Sequence, residues 1–511
     1  MQEVYCFLPL PELVKATVQL LSTNNHSSEP EAVKAIVEGM TSEKMLIIDK
    51  GEGGMPLCYK PTFFHTEQNL AQLLLSHLSR PVAIDPERVK NWIERFTQAK
   101  GMQLSQQQLE AVEMAANSRI LILTGGPGTG KTMTTKVITA LWKAMGKTCA
   151  KRAYGIALAA PTGHAAKRLS EMAGLEAKTI HRLLEFDPAT RGFKRGLDNL
   201  LPCDALIVDE ASMLDLFLAH SLIKAIPQNL QLLIVGDTDQ LPSVGPGNVL
   251  RDLIESKRIP VIRLTQVFRQ AASSAIVRVA HQINKGQYPQ LEAISNQPQS
   301  DCLWHNGGTE PEHGVQVIGE LLQGLIPQLG FNPATDVQVL CPMTRGIVGT
   351  RNLNGVLQQL LNPPSLTKAE ITRGGMVFRE GDRIIQLKND YDREVYNGEL
   401  GTITRIDPTE QEMVIEIDER EVVYDYADLN EITLAYSITI HKSQGSEYPV
   451  VILPLYLQHY VMLSRNLIYT AITRGKKLVI LVGSSKAIAI AVKQQNEQQR
   501  YTRLRERLSY N

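Results

Sequence analysis

The sequence predicts an α/β protein with two parallel-sheet domains, a small antiparallel barrel inserted into the second, and a mainly helical accessory segment ahead of both. Three observations carry this. From about residue 101, apolar runs of strand length alternate with helical stretches, the pattern of a parallel sheet covered on both faces. A second block of the same kind appears in 337–340, 450–453 and 478–482. Between its pieces, 372–432 changes to short alternating strands with Asp-, Gly- and Asn-rich turns, which fits a small β-barrel.

Composition sets the bounds. The chain has 511 residues, 43% hydrophobic and 21% charged, as in folded globular proteins, and this excludes collagen-like or largely disordered chains. Its 53 basic residues balance 53 acidic ones, so any phosphate-binding surface has to be a local patch. The six cysteines lie far apart with no CxxC pair, which favours reduced, buried thiols over disulfides or a zinc site. The start lacks the basic and apolar regions of a signal peptide, and the apolar stretch 450–463 is interrupted by Gln458 and His459. A cytoplasmic protein without a membrane partner is expected.

Taken in order, residues 1–100 read as an accessory domain. Three-and-four spacing, as in Val14, Val18 and Leu21, predicts helices over 13–21 and 31–39. A strand over 45–48 and a glycine turn at 51–54 complete a unit that resembles a winged helix. Its 12 acidic and 10 basic side chains argue against strong backbone binding. Residues 101–265 form the first α/β domain, with strands at 120–124, 156–160, 205–208 and 232–235. The second domain occupies 266–371 and 433–511, ends in a C-terminal helix, and is interrupted by the barrel at 372–432 with strands at 401–406 and 413–417. From Ser484 onward there are six basic and two acidic residues.

The first strand runs into Gly125-Gly126-Pro127-Gly128-Thr129-Gly130-Lys131-Thr132, followed by a helical stretch over 133–145. This is G-x-x-x-x-G-K-T in the strand–loop–helix setting that its chemistry needs. The glycines let backbone amides wrap phosphate oxygens, and the helix start adds a favourable partial charge. Lys131 is expected on the β- and γ-phosphates and the Thr132 hydroxyl on Mg²⁺. The strand at 205–208 ends in Asp209-Glu210, adjacent carboxylates that call for a cation. Asp209 suits the Mg²⁺ shell and Glu210 the attacking water. The strand at 232–235 leads to Gln240, whose amide could sense the γ-phosphate. Binding and hydrolysis of a nucleoside triphosphate follow.

Further blocks surround these. They include residues 104–112, Ala160-Pro161-Thr162-Gly163-His164, Thr179-Ile180-His181 and Val267-Phe268-Arg269-Gln270. Later come Thr439-Ile440-His441-Lys442-Ser443-Gln444-Gly445-Ser446-Glu447 and Tyr469-Thr470-Ala471-Ile472-Thr473-Arg474. The ordered set over about 101–510 resembles the motifs of superfamily 1 helicases, most closely the RecD-like, class B branch. Residues 341–354, with 381–383 and 397–401, resemble that branch's second motor domain and its SH3-like barrel.

The resemblance implies two RecA-like P-loop motor domains, ATP as cofactor, and 5′→3′ movement on single-stranded DNA with unwinding at duplex junctions in repair or recombination. It assigns Arg269 and Arg474 as arginine fingers, Gln108 to the adenine and Glu447 to the ribose. Strand contacts fall to Pro161, Thr162, His164, Thr179 and His181 on one domain, and to Thr439, His441, Ser443 and Arg345 on the other. Residues 185–200, with Arg191, Lys194 and Arg195, stand where the family inserts a duplex-separating hairpin. His164 replaces a lysine common in relatives. Long relatives carry further N-terminal domains, so a shortened relative or a fragment is expected. Two alternatives remain at this point: an RNA-directed helicase of the same superfamily, or an ATP-gated nucleic-acid-binding subunit of a repair complex.

Overall fold

The computed structural model describes residues 4–22, 29–82, 84–149, 155–268, 273–295, 298–494 and 500–509. Near the N-terminus, β1 (Phe7–Pro9), β2 (Ile47–Lys50) and β3 (Pro56–Tyr59) form an antiparallel sheet in the order β1-β3-β2. Helices α1 (Leu10–Leu21) and α2 (Pro30–Ser42) each carry proline in the first turn, where no intrahelical amide is needed. The strand expected at 45–48 lies two residues later, and β1 adds an edge that the short run Phe7–Pro9 gives little periodicity to reveal. Helices α3 (Pro61–Leu78), α4 (Pro86–Lys100) and α5 (Gln106–Asn117) follow.

The first parallel sheet takes β4 (Ile120–Gly125), β5 (Ile156–Ala160) and β6 (Ala177–Thr179). A hairpin of β7 (Phe186–Asp187) and β8 (Gly192–Phe193) stands outside it, within the expected insertion. β9 (Ala205–Val208), β10 (Gln231–Gly236) and β11 (Val261–Leu264) complete the order β11-β4-β10-β9-β5-β6, with every pairing parallel. Alternate residues of each strand serve opposite faces. Ile120, Ile122, Leu206, Val208, Leu232 and Ile234 pack with Leu70 and Leu74 of α3. Leu121, Leu123, Ile207, Leu233 and Val235 pack with α5 and with Val137, Ile138, Leu141 and Trp142 of α6 (Lys131–Cys149). Burial on both faces is why these strands read as unbroken apolar runs.

The second sheet begins with β12 (Glu292–Ala293), β13 (Cys302–Asn306) and β14 (Val337–Cys341). The inserted β unit opens with the ladder β15 (Glu370–Arg373) and β16 (Met376–Arg379). β17 (Arg383–Gln386), β18 (Leu400–Asp407), β19 (Glu412–Ile417), β20 (Arg420–Asp425) and β21 (Ile432–Leu434) then form an antiparallel sheet in the order β20-β19-β18-β17-β21. The chain returns through β22 (Ser437–Thr439), β23 (Tyr448–Leu455) and β24 (Gly475–Gly483). The second sheet's order is β12-β13-β24-β23-β14-β22, again parallel throughout. The five cysteine side chains described are buried and unpaired. Among the described residues, no helix is long and apolar enough to cross a membrane.

The end of the chain departs from the expected division, which assigned 433–511 to the second domain. Residues 500–509 return to the first domain and the accessory helices. Arg500 donates to the carbonyls of Ser243, Gly245 and Gly247 at 2.6–2.8 Å. Arg507 Nε lies 3.0 Å from Glu67 Oε2, and Glu67 is wholly buried in α3. Arg503 and Arg507 both reach Asp49, at 2.8 and 3.2 Å. Much of the basic excess after Ser484 therefore goes into an internal strap. Arg507→Ala is expected to destabilise the chain by about 3 kcal/mol, because it leaves a buried carboxylate without its guanidinium. A fall in the urea or thermal midpoint relative to wild type reads this directly.

Candidate nucleotide and strand-contact site

β4 ends at Gly125 and α6 starts at Lys131, so the intervening loop turns sharply. Gly128 and Gly130 adopt φ of 72° and 84°. A Cβ at Gly130 would also lie 2.6 Å from Gln108 Nε2 and 2.7 Å from the Phe268 ring, so both conformation and space demand glycine. Lys131 donates to the carbonyls of Gly125 and Gly126, the latter at 3.0 Å. The Thr129 hydroxyl donates to the Gly126 carbonyl at 2.8 Å, and Thr132 stands exposed in the first turn of α6. Pro127 completes the loop.

Gln108 has a local task as well. Its Oε1 accepts from the Ser105 amide at 2.9 Å and closes a capping box on α5. Its Nε2 is buried beside Gly130 with no hydrogen-bond partner among the described residues.

At the end of β9, Glu210 has a left-handed backbone (φ 52°, ψ 41°), an unusual conformation for a non-glycine residue. Its amide donates to Asp209 Oδ1 at 2.8 Å. Burial, and then the Glu210 charge, push the Asp209 carboxyl above the usual range, against the pull of Arg168 and Lys131. Burial acts on Glu210 in the same sense but is outweighed by Arg474, Arg168 and Lys131, which hold it below the usual range. Buried, adjacent oxygen donors of this kind, with the Thr132 hydroxyl next to Lys131 at the start of α6, fit a hard divalent cation such as Mg²⁺.

The second domain reaches into this site. Arg474 is buried, donating from Nε to the Thr470 carbonyl at 3.1 Å and from Nη1 to the Ser446 carbonyl at 3.2 Å. The Tyr469 hydroxyl donates to Asp237 Oδ2 at 2.7 Å, and Gln240 Nε2 lies 3.5 Å from the same oxygen. The Leu241 amide donates to Thr470 Oγ1 at 2.8 Å, while Gln444 donates to the Leu241 carbonyl at 2.8 Å. Glu447 binds Arg168 and lies 3.3 Å from Lys476. Arg269 lies outside the described residues.

The residues assigned to strand contact divide into two groups. Pro161 follows β5, and the Thr162 hydroxyl caps α7 (Gly163–Ala173), accepting from the Ala165 amide. A Cβ at Gly445 would overlap that hydroxyl, so the two domains' motifs meet there. His164 Nε2 is buried without a partner among the described residues, and burial lowers the pKa of its imidazole. Thr179 caps the helix Ile180–Leu183, and His181 lies against the rings of Phe186 and Phe193. On the second domain Thr439 caps residues 440–443, and His441 lines the cleft with Gln240, Arg465 and Arg500. Arg345 is exposed. Ser443 differs: it is fully buried and its hydroxyl donates to the Ile440 carbonyl at 2.8 Å. In the hairpin, Arg195 is held by Glu185 at 2.7 Å and also donates to Asn199.

Three residues at the site had no role in the sequence reading. Arg168 joins Glu210 and Glu447. His281 places its ring 3.2 Å, and Tyr469 its hydroxyl 3.1 Å, from where a Cβ on Gly126 would be. His281 sits on the amphipathic helix Ala275–Asn284, whose apolar face hides this use. For Arg168 a signal existed: it is four residues beyond His164, on the same helical face.

Glu399 enters from the inserted β unit and lies 2.5 Å from where a Cβ on Gly163 would be. Burial pushes its carboxyl up to about 7, partly opposed by the Tyr396 amide. A carboxyl raised on folding makes the native state less stable as pH rises from about 4.5 to about 7. Glu399→Gln is therefore expected to be more stable than wild type at pH 8, by up to about 3 kcal/mol, with the difference vanishing near pH 4. Denaturation midpoints across that range check it.

Because cations and hydroxyls of one parallel-sheet domain act on carboxylates of the other, this is a P-loop nucleoside triphosphatase fold whose site is completed across two domains. Three family profiles match the chain: an AAA domain over 103–303, the ATP-dependent RecD-like DNA helicase SH3 domain over 353–417, and the UvrD-like helicase C-terminal domain over 434–482. The chain is 35% identical over 510 residues to the ATP-dependent RecD2 DNA helicase of Deinococcus radiodurans, covering 99% of this chain and 67% of that protein. It is 30% identical over 429 residues to the RecBCD enzyme subunit RecD of Mycolicibacterium smegmatis, covering 79% and 75%. The chain belongs to the RecD-like helicase family. A crystal structure of Bacteroides Pif1 helicase with ADP-AlF3 and ssDNA aligns with 74% of this chain and 92% of that one, at 19% identity and a TM-score of 0.44.

Proposed function

We propose that the chain is an ATP-dependent DNA helicase of RecD type that couples hydrolysis to 5′→3′ movement on single-stranded DNA and opens duplex junctions, in repair or recombination in the cytoplasm. The observation that carries this is the reach of the second domain into the site: Arg474 acts on Glu210, and Tyr469 binds Asp237. Hydrolysis that depends on two domains closing is what converts phosphoryl transfer into stepping.

Within this reading, Lys131 and the glycine loop hold the phosphates, Glu210 takes the proton of the attacking water, and Gln240 senses the γ-phosphate. Arg474 and Arg269 stabilise the charge developing on the transferred phosphoryl group. Gln108 and Glu447 hold the base and ribose of ATP. Asp209 and Thr132 would hold Mg²⁺, which when bound neutralises phosphate charge. Pro161, Thr162, His164, Thr179, His181, Thr439 and His441, with Arg345, contact the strand, whose backbone has to be gripped weakly enough to release. Ser443, assigned to the strand by sequence, is buried and spends its hydroxyl on the Ile440 carbonyl, so its role is to fix the turn 440–443 rather than to touch the strand.

The test is ATP hydrolysis by the full chain with matched single-stranded DNA and RNA oligonucleotides. Stimulation by DNA is expected; stimulation by RNA alone, or hydrolysis indifferent to either, overturns the reading. A second reading, an ATP-gated subunit of a larger repair complex, is favoured by the relatives named as RecBCD subunits. It predicts ATP-dependent strand binding by the isolated chain without strand separation.

A further inference from the structure

α7 carries two kinds of group along one face. At its first turn stand Thr162 and His164, assigned above to the strand. One turn later, at i+4, Arg168 extends into the cleft between the domains. Its Nη2 lies 2.8 Å from Glu210 Oε1, and its Nη1 binds Glu447 Oε1. Glu210 closes a strand of the first sheet, while Glu447 directly precedes β23 of the second. A single guanidinium thus touches the hydrolytic carboxylate and the opposite domain, and it does so from the helix that begins at the strand contacts.

The chemistry of the contact is specific. A planar guanidinium has donors in a fixed fork and can hold two carboxylates at once, whereas an ammonium is a point charge. Glu210 has one oxygen fixed by Arg168 and a backbone held in the left-handed region, so the direction of its second oxygen is set. Any shift of α7 or of Glu447 is transmitted to that oxygen.

We propose that Arg168 is a positioning residue: it aims Glu210 at the attacking water and ties that aim to strand engagement by α7 and to closure of the second domain through Glu447. The inference rests on the chain being a strand-stimulated ATPase. It accounts for stimulation by giving the strand-contact helix a direct connection to the proton acceptor, without a contact between Arg168 and either nucleic acid or phosphate.

The experiment measures ATP hydrolysis with and without a single-stranded DNA oligonucleotide, and oligonucleotide affinity by fluorescence anisotropy, for wild type, Arg168→Ala, Arg168→Gln and Arg168→Lys. The strand-stimulated kcat of Arg168→Ala is expected to fall by about tenfold or more, while KM for ATP and oligonucleotide affinity change by less than about threefold. Arg168→Lys recovers part of kcat, since it reaches one carboxylate. Arg168→Gln, which keeps much of the volume, gives the same loss and serves if the alanine variant melts early. Wild-type kcat in both the alanine and glutamine variants overturns the proposal. So does a loss of kcat matched by an equal loss of oligonucleotide affinity, which would make Arg168 a strand contact. A wild type without any stimulated hydrolysis overturns instead the functional reading, and this inference with it.

Discussion

Lys131→Ala is expected to lower strand-stimulated ATP hydrolysis by about a hundredfold or more, because it removes a fixed cation from the place where phosphate charge develops. The fold is expected to survive. Lys131 is half-buried at the start of α6, and its described hydrogen bonds go only to the Gly125 and Gly126 carbonyls of its own loop. Its charge also acts on the buried Asp209 and Glu210, but both keep Arg168, whereas Arg507→Ala takes away the guanidinium bound directly to Glu67. Steady-state phosphate release, alongside a melting curve matching wild type, separates loss of chemistry from loss of structure. Equal hydrolysis by wild type and variant would remove the phosphate loop from the mechanism.

Glu210→Gln is the second large effect. The substitution is nearly isosteric and keeps an oxygen acceptor for Arg168, but it cannot take a proton from water. A fall in kcat of about 10²- to 10⁴-fold is expected, with nucleotide and strand binding retained. Binding is retained because Glu210 is not among the groups that hold phosphate or strand, and because removing its charge relieves the electrostatic pressure on Asp209. Single-turnover hydrolysis, together with nucleotide affinity by fluorescence, measures the two halves separately. A variant that loses affinity and keeps its single-turnover rate would assign Glu210 to binding instead.

The parts legible in the sequence share one physical property: their determinants are close together in the chain. The strands at 120–125, 156–160 and 205–208 are buried on both faces, so their apolar runs stand out, and the glycine loop announces itself through its spacing. β11 leaves little trace in the sequence because Val261-Ile262-Arg263-Leu264 is a short edge strand with an exposed arginine within it. β1 and β6 are only three residues long. The C-terminal strap was illegible for a different reason. Arg507 meets Glu67 across 440 positions, and an Arg/Glu-rich end reads equally well as a solvated helix. Likewise Tyr469 lies in a recognisable motif, yet nothing in the sequence says that its hydroxyl crosses to Asp237. The chemistry of each half of the site could be read locally, but the joints between the halves could not.

Those joints are what make a motor of two hydrolytic half-sites, and strand separation tests them together. The direct measurement is ATP-driven unwinding of a forked duplex bearing either a 5′ or a 3′ single-stranded tail, with wild type and Lys131→Ala. Separation of the 5′-tailed substrate by wild type alone is predicted. Separation from the 3′ tail only, or stimulated hydrolysis without separation of either substrate, would contradict a 5′→3′ helicase.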